Sequence, residues 1–266
     1  MNLEEKYENL KKIISSYESC AVAFSGGVDS SFLSKVCYDV LGEKAIAITV
    51  VSPMLPESEL KDAMDVSSFV GIKHYFIKDD EIEDKVAENP VDRCYHCKKT
   101  EFGNVKEFAE LKGVTTIFDG TNLDDLGDYR PGMQAVSELG VISPLKDAEF
   151  TKEDIREMSK ILNLKTWDKP SFACLASRVP YGEKITTEKL SKIEKSEEFL
   201  KQFGFKQFRV RAHEDIARIE VAPEEREKIF STNIMNKISI ELKSYGFKFV
   251  CLELEGYSLG SMNKLI

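Results

Sequence analysis

No stretch of the 266-residue chain reaches the roughly 18 to 20 successive apolar residues that a membrane-crossing helix needs, so no membrane partner is expected. Positive charge is also short. Lys and Arg number 37 against 46 Asp and Glu, for a formal net charge of -9 and a pI near 5.1. An acidic total argues against a nucleic-acid partner, because phosphate contacts need positive charge, yet it leaves room for a local basic pocket. The opening MNLEEKYENLKKII reads as a charged amphipathic helix rather than a signal peptide, and the cytoplasm is the expected location. Internal repeats and low-complexity tracts are missing. So is the lysine-bearing pattern GxxxxGK followed by Ser or Thr, which leaves the Mg2+-bridged γ-phosphate machinery of kinases and GTPases unindicated. The six cysteines are too few for a disulfide framework in a chain of this size. Cys20, Cys37 and Cys251 lie in apolar segments and read as buried packing residues.

What is present is an ordinary globular composition, 42% hydrophobic and 31% charged, long enough for one large domain or two modest ones. A helix over 1–18, a strand at CAVAF (20–24), a helix over 30–41 and a strand at KAIAITV (44–50) begin an alternation. It continues with a helix over 57–70, a strand at 73–77, a helix over 99–111 and a strand at TTIFDG (115–120). Apolar strands alternating with helices predict an α/β fold with a parallel sheet covered on both faces, its chemistry at the C-terminal strand ends. The character changes at DKPSFACLASRVPYGEKIT (168–186), where periodicity fades. Beyond it come a helix, two strands within FKQFRVRAHEDIARIEV (205–221), a helix over 223–244 opening on Pro223, and a strand in FKFVCLEL (247–254). The expected domains are therefore 1–168, a connecting active-site segment 169–186, and a smaller C-terminal α+β domain over 187–266.

Between the first strand and the following helix stands FSGGVDS (24–30). Such a loop points backbone N–H groups at an anion, and Gly26 and Gly27 let the backbone approach it without a Cβ. Ser25, Ser30 and Ser31 add hydroxyl donors. Asp29 would orient the turn or hold a metal between phosphates; a plain Gly-Gly turn with a serine cap is the bland alternative. The stretch TVVSP (49–53), with Ser52, follows the second strand and could meet adenine or ribose. After the fourth strand, FDGTNLDDLGDYRPGM (118–133) offers Gly120, Asn122, Asp124, Asp125, Asp128 and Arg130, either a site or a capped loop. Arg209 and Arg211 alternate on one strand, and Arg218 and Glu220 on the next, as forks for a substrate phosphate or as a solvated face.

SGGVDS resembles the pyrophosphate-binding loop of the PP-loop ATP pyrophosphatase superfamily, which includes NAD synthetases, GMP synthetases and tRNA thiolases. Its members cleave ATP between the α and β phosphates and attach AMP to a carboxylate or carbonyl oxygen, which a nucleophile then displaces. With DGTNLDDLGDYRPG, CLASRVPYG, RVRAHEDIARIEV and the terminal GYSLGSMN, the likeness to the LarE family of ATP-dependent sulfur transferases covers nearly the whole chain. That resemblance implies a PP-loop ATP-binding domain, a C-terminal unit for substrate binding and oligomerisation, and a homo-oligomer such as a hexamer. It implies adenylation of the carboxylates of pyridinium-3,5-biscarboxylic acid mononucleotide and their conversion to thiocarboxylates, in nickel-pincer cofactor synthesis. ATP and Mg2+ are the implied cofactors. Ser25, Gly26, Gly27, Asp29, Ser30, Ser52, Gly120, Asn122, Asp125 and Arg130 would line the nucleotide. Asp29 corresponds to the required loop aspartate, Arg209 and Arg211 to the arginines near the substrate phosphate, and Glu220 to a carboxylate beside it. Cys174 corresponds to the cysteine that a sacrificial branch of the family gives up as sulfur donor.

The chain departs from that branch at VDRCYHCKK, which adds Cys94 and Cys97 to Cys174. Three thiols of this spacing can hold a 4Fe-4S cluster with one iron left open for an external sulfide, so that inorganic sulfide or another sulfur donor would serve. Zinc, with His96 between the cysteines, and a redox pair or persulfide relay are the competing readings, together with inert thiols. His74 and His96 read as surface or packing residues, while His213 could approach the substrate or shape the turn. A tRNA thiolase, an amide-forming ligase of the NAD-synthetase kind and a non-catalytic nucleotide-binding protein are the alternative functions.

Overall fold

The computed structural model describes residues 1–127, 131–170 and 174–258 and divides into two compact units. The first comprises residues 1–81 and 94–172, the second 82–93 and 173–266.

In the first unit four parallel strands stand in the order β3-β2-β1-β4: β1 (Cys20–Ala23), β2 (Ala45–Val51), β3 (Lys73–Lys78) and β4 (Ile117–Phe118). Period-two alternation along β1 and β2 splits the core between the two faces of the sheet. Cys20 and Val22 join Ala45 and Ala47 beside Leu10, Ile14, Phe32 and Leu33, whereas Ala21 joins Ile46 and Ile48 beside Phe102, Val105 and Ile117. The helices that cover these faces begin and end on recognisable signals. Helix α1 (Leu3–Ser15) opens on an Asn2/Glu5 capping box, and α2 (Val28–Leu41) starts directly from the glycine loop. Helix α3 (Glu57–Val70) stops at Gly71, whose φ of +82° is the left-handed cap that glycine adopts without strain. Helix α4 (Arg93–Leu111) begins six residues earlier than the sequence suggests, which places Cys94 and Cys97 on a helix. Two helices of eight or more residues follow, α5 (Pro131–Glu138) and α6 (Lys152–Ile161), the latter on a Thr151/Asp154 capping box. The parallel α/β sheet expected from the alternating pattern is present.

In the second unit a three-stranded sheet runs β5-β6-β7, with β5 (Phe208–His213) antiparallel to β6 (Ile216–Val221) and β7 (Phe249–Leu252) parallel to it. One face is apolar: Phe208, Val210, Ala212, Ala217, Ile219 and Val221 are all buried. Helix α7 (Thr187–Lys201) and helix α8 (Thr232–Ser244) belong to this unit. The single helix expected over 223–244 is in fact a 3-10 segment, Pro223–Phe230, broken from α8 at the extended Ser231. Cys20 and Cys37 are buried as expected, and burial next to Cys20 pushes the Cys37 thiol well above its ordinary range. Cys251 is not. It is exposed, because it points off β7, an end strand of the sheet, with Phe249 exposed beside it. Among the described residues no helix is long and apolar enough to cross a membrane.

Candidate functional site

Strand β1 sits between β2 and β4, so the chain leaves it in one direction toward β2 and β3 and returns on its other side as β4. In a parallel sheet such a reversal opens a crevice at the C-terminal strand ends. The glycine loop stands there. Gly26 has φ +69°, and a Cβ on it would lie 2.9 Å from the backbone of Ala63 in α3, so both conformation and space demand glycine. Gly27 caps α2 with no side-chain bond to the helix N–H groups. Ser25 and Ser30 close the loop on itself: their hydroxyls are 3.1 Å apart, and the Ser25 N–H reaches Ser30 Oγ at 3.3 Å. These hydroxyls and N–H groups are the donors an oxyanion would collect at a helix N-terminus.

From the other side of the crevice, Gly120 approaches so closely that a Cβ there would be 3.1 Å from Asp29 Cβ and from the Ser30 nitrogen. Asn122 follows, and its amide donates to Asp29 Oδ1 at 3.4 Å. Asp125 works within the turn, accepting from the Asn122 N–H at 3.0 Å, while Asn122 Oδ1 accepts from the Asp124 N–H. Ser52, half-buried, lies one residue past β2. Arg130 and Asp128 lie outside the described residues, as do residues 171–173 of the KPSFACL stretch and the last part of GYSLGSMN.

Two lysines that local sequence did not single out complete the crevice. Lys152, the first residue of α6, makes a short ion pair with Asp29 Oδ2. Lys169 donates to the Gly26 carbonyl at 3.3 Å and is clamped by Glu59 at 2.9 Å and Asp62 at 2.6 Å. The loop is thus edged by two ammonium groups from segments distant in sequence.

The second unit carries its own polar assembly. Strand pairing sets Arg209 opposite Glu220 and Arg211 opposite Arg218, all four on the face of β5 and β6 turned away from the apolar core, with His213 next along. These are not solvated side chains: Arg209, Arg211 and Glu220 are buried. Arg211 pairs with Glu220 at 2.8 Å and donates to the Ser177 carbonyl, and Arg218 bridges Glu220 and Glu253, both at 2.9 Å. Arg178 is fully buried and forks onto Glu197, with Nε and one terminal nitrogen each at 3.0 Å. Arg209 stacks on the Tyr257 ring, and burial together with neighbouring Arg178 lowers the pKa of its guanidinium. Burial and Arg218 likewise lower the pKa of His213. Guanidinium groups so concentrated, held by carboxylates in fork geometry, are the donor type that suits an anion such as phosphate.

Cys174 is exposed and immediately precedes a 3-10 turn, Leu175–Arg178, its carbonyl accepting from Arg178 at 3.1 Å. Asn89, buried at φ +57°, anchors this segment by donating to the carbonyls of Val179, Pro180 and Glu183 and accepting from Arg93. Cys94, exposed, and Cys97, half-buried, are three apart on the first turn of α4 and so share a helix face. Gly132 packs onto that turn, its absent Cβ only 3.3 Å from the Cys94 carbonyl. Cys94 and Cys97 belong to the first unit and Cys174 to the second, and among the described residues no three His, Cys, Asp or Glu side chains are grouped to hold a metal ion.

The chain resembles known proteins along its whole length. Residues 3–110 match the family model for NAD synthase. The chain is 34% identical to the pyridinium-3,5-bisthiocarboxylic acid mononucleotide synthase of Lactiplantibacillus plantarum, over 98% of this chain and 95% of that one. It is 41% identical to an uncharacterized protein of Synechocystis over 99% of both chains, and 36% identical to one of Methanocaldococcus jannaschii over 96% and 94%.

Proposed function

Since the chain belongs to the LarE family of PP-loop proteins, that of the pyridinium-3,5-bisthiocarboxylic acid mononucleotide synthase, we propose that it is an ATP-dependent sulfur transferase of nickel-pincer cofactor synthesis. On this reading it adenylates the carboxylates of pyridinium-3,5-biscarboxylic acid mononucleotide and converts them to thiocarboxylates. The observation that carries the reading is the end-to-end likeness to that synthase, joined to a glycine loop at a helix N-terminus whose close approaches at Gly26 and Gly120 only glycine permits.

A carboxylate oxygen is a poor leaving group, and transfer of AMP to it turns it into a good one. The loop donors at Ser25, Gly27 and Ser30, with Lys152 and Lys169 beside them, would stabilise the charge that gathers on departing pyrophosphate. Asp29 would hold Mg2+, which when bound supplies charge neutralisation between phosphates, and Asn122 would fix the carboxylate's orientation. The guanidinium groups of Arg209 and Arg211 would take the substrate phosphate, with Glu220 holding the Arg211 fork in place.

Two sulfur routes fit the thiols. Cys94, Cys97 and Cys174 are the donor types of a 4Fe-4S cluster, which when bound would supply sulfide from an open iron. Cys94 and Cys97 lie in one unit and Cys174 in the other, and a single thiol suffices for the second route. In that route Cys174 attacks the acyl adenylate and expels AMP. Loss of its Cα proton then breaks its Cβ–S bond, leaving dehydroalanine in the chain and the thiocarboxylate on the substrate.

The experiment is an anaerobic assay with ATP, Mg2+, the biscarboxylic mononucleotide and sulfide, read by pyrophosphate release and product mass, with iron and acid-labile sulfide measured per chain. Acceptor-dependent pyrophosphate and a sulfur-containing product support the reading. A sulfur-free amide product would sink it. An intact chain mass after many turnovers favours the cluster, and loss of the elements of hydrogen sulfide from Cys174 favours sacrifice.

A further inference from the structure

The root of the glycine loop is tied to β2, β3 and α3 by a chain of side chains that the function above does not use. Phe24, the residue before Ser25, donates its N–H to the Ile48 carbonyl at 2.8 Å, and its own carbonyl accepts a short bond from the buried Thr49 hydroxyl. Thr49 Oγ1 also lies 2.8 Å from His74 Nε2, and His74 Nδ1 lies 2.9 Å from Ser67 Oγ on α3. The imidazole is held between Phe24 and Phe76, with ring centroids 5.1 and 4.1 Å away.

Counting hydrogens decides the polarity of this relay. A carbonyl only accepts, so the single hydrogen of Thr49 goes to Phe24, and at His74 the same oxygen must accept. Nε2 therefore carries a hydrogen. Burial keeps the ring neutral near pH 7, so Nδ1 is bare and takes the hydrogen of Ser67. Ser67 surrenders little by turning from the Met64 carbonyl, 3.0 Å away, which lies inside α3 where a backbone N–H already serves it. In the opposite tautomer, bare Nε2 would claim the one Thr49 hydrogen, and the Phe24 carbonyl would lose its side-chain donor. The ring's tautomer thus controls the loop root.

We propose that His74 is a positioning residue for the phosphate-binding loop. Its Nε2–H commits the Thr49 hydroxyl to the Phe24 carbonyl, which fixes the Phe24–Ser25 peptide plane and so the aim of the Ser25 N–H. The inference rests on reading the loop as the site of ATP's phosphates, and its test separates the two. MgATP is titrated calorimetrically into the full-length protein and its Thr49→Val, Thr49→Ser and His74→Phe variants, with unfolding temperature recorded for each. Losing one such hydrogen bond corresponds to about fivefold weaker MgATP binding in Thr49→Val, from about 1 kcal/mol. Thr49→Ser, which keeps the hydroxyl, retains wild-type affinity, and His74→Phe, which keeps the ring packing, falls between the two. Nitrogen NMR of histidine-labelled wild type, with only three histidines to assign, shows the Nε2–H form at His74. Wild-type affinity in a folded Thr49→Val, or the Nδ1–H form, overturns the proposal. Failure of the wild type to bind MgATP removes the loop's assigned role instead, and with it the relay's purpose.

Discussion

The glycine loop of the first unit and the arginine face of the second both gather hydrogen-bond donors, by opposite means. The loop uses backbone N–H groups and serine hydroxyls, with Asp29 as its one charge, and its donors rest on one another at 3.1 to 3.3 Å. The face uses whole guanidinium groups taken out of water: Arg178, Arg209 and Arg211 are nearly or wholly buried, and each charge must be answered inside the protein. A loop of neutral donors can wait without a ligand at little cost, because water or its own hydroxyls satisfy it. A buried guanidinium cannot wait, because desolvation costs several kcal/mol unless carboxylates stay in place. The first site should therefore separate function from folding under mutation, and the second should not.

The sharpest way to break that contrast is Glu197→Ala. Arg178 has zero exposure and sends two nitrogens to this carboxylate, which also accepts the Val210 N–H at 3.0 Å. Removing one partner of such a pair costs about 3–5 kcal/mol, a large part of the stability of a small domain. Hydrogen exchange should show the amides of α7 and β5 losing protection while those of β1 and β2 keep it. Unchanged protection at Val210 would mean that the face is not a folding element.

Asp29→Asn is the counterpart in the loop. Asp29 and Lys152 keep side-chain exposures of 24% and 35%, so their ion pair is worth about 0–1 kcal/mol and the unfolding temperature should hardly move. Pyrophosphate release should nonetheless fall by about 100-fold, the scale set by removing one electrostatic stabiliser from a reacting centre. Equal losses of stability and activity would erase the distinction between the two sites.

How legible each site is in the sequence follows the same division. The loop is local: strand, SGGVDS and helix are contiguous, although the Ala63 backbone that bars a Cβ at Gly26 comes from α3. The arginine face is nearly as open, because a strand's period of two puts Arg209 with Arg211 and Arg218 with Glu220 on one side whatever packs there. Their burial was not legible, since that depends on Ser177, Glu253 and Tyr257 arriving from elsewhere. Lys152 and Lys169 reach the loop across 123 and 143 residues, and no local pattern marks them. Asn89 likewise organises the Cys174 segment from 90 residues away. Cys251 shows the reverse failure. Its apolar neighbours suggested burial, but exposure at an end strand is decided by what lies beside the sheet, which local composition does not encode.

The smallest expected effect concerns pH and sharpens the comparison from the loop's side. Burial lowers the His74 pKa from 6.5 to about 4, and the cavity beside it, lined by Met64, Ser67, Ser68, Gly71, Ile72 and Phe76, holds no charged side chain. The unfolded chain binds a proton at this residue as pH falls below 6.5, whereas the folded chain resists until about 4. Stability from neutral His74 is therefore complete above pH 6.5 and drains away as pH falls toward 4. His213, its pKa also lowered by burial and Arg218, adds a slope of the same sign. In His74→Phe the part due to the first unit disappears. Following the fluorescence of Trp167, the one tryptophan and a residue of the first unit, during denaturant unfolding at pH 7 and pH 5 isolates that part. The wild type should lose stability between the two, and His74→Phe should lose less. Identical losses would place the pH-sensitive group elsewhere in the first unit and leave the loop root without its neutral imidazole.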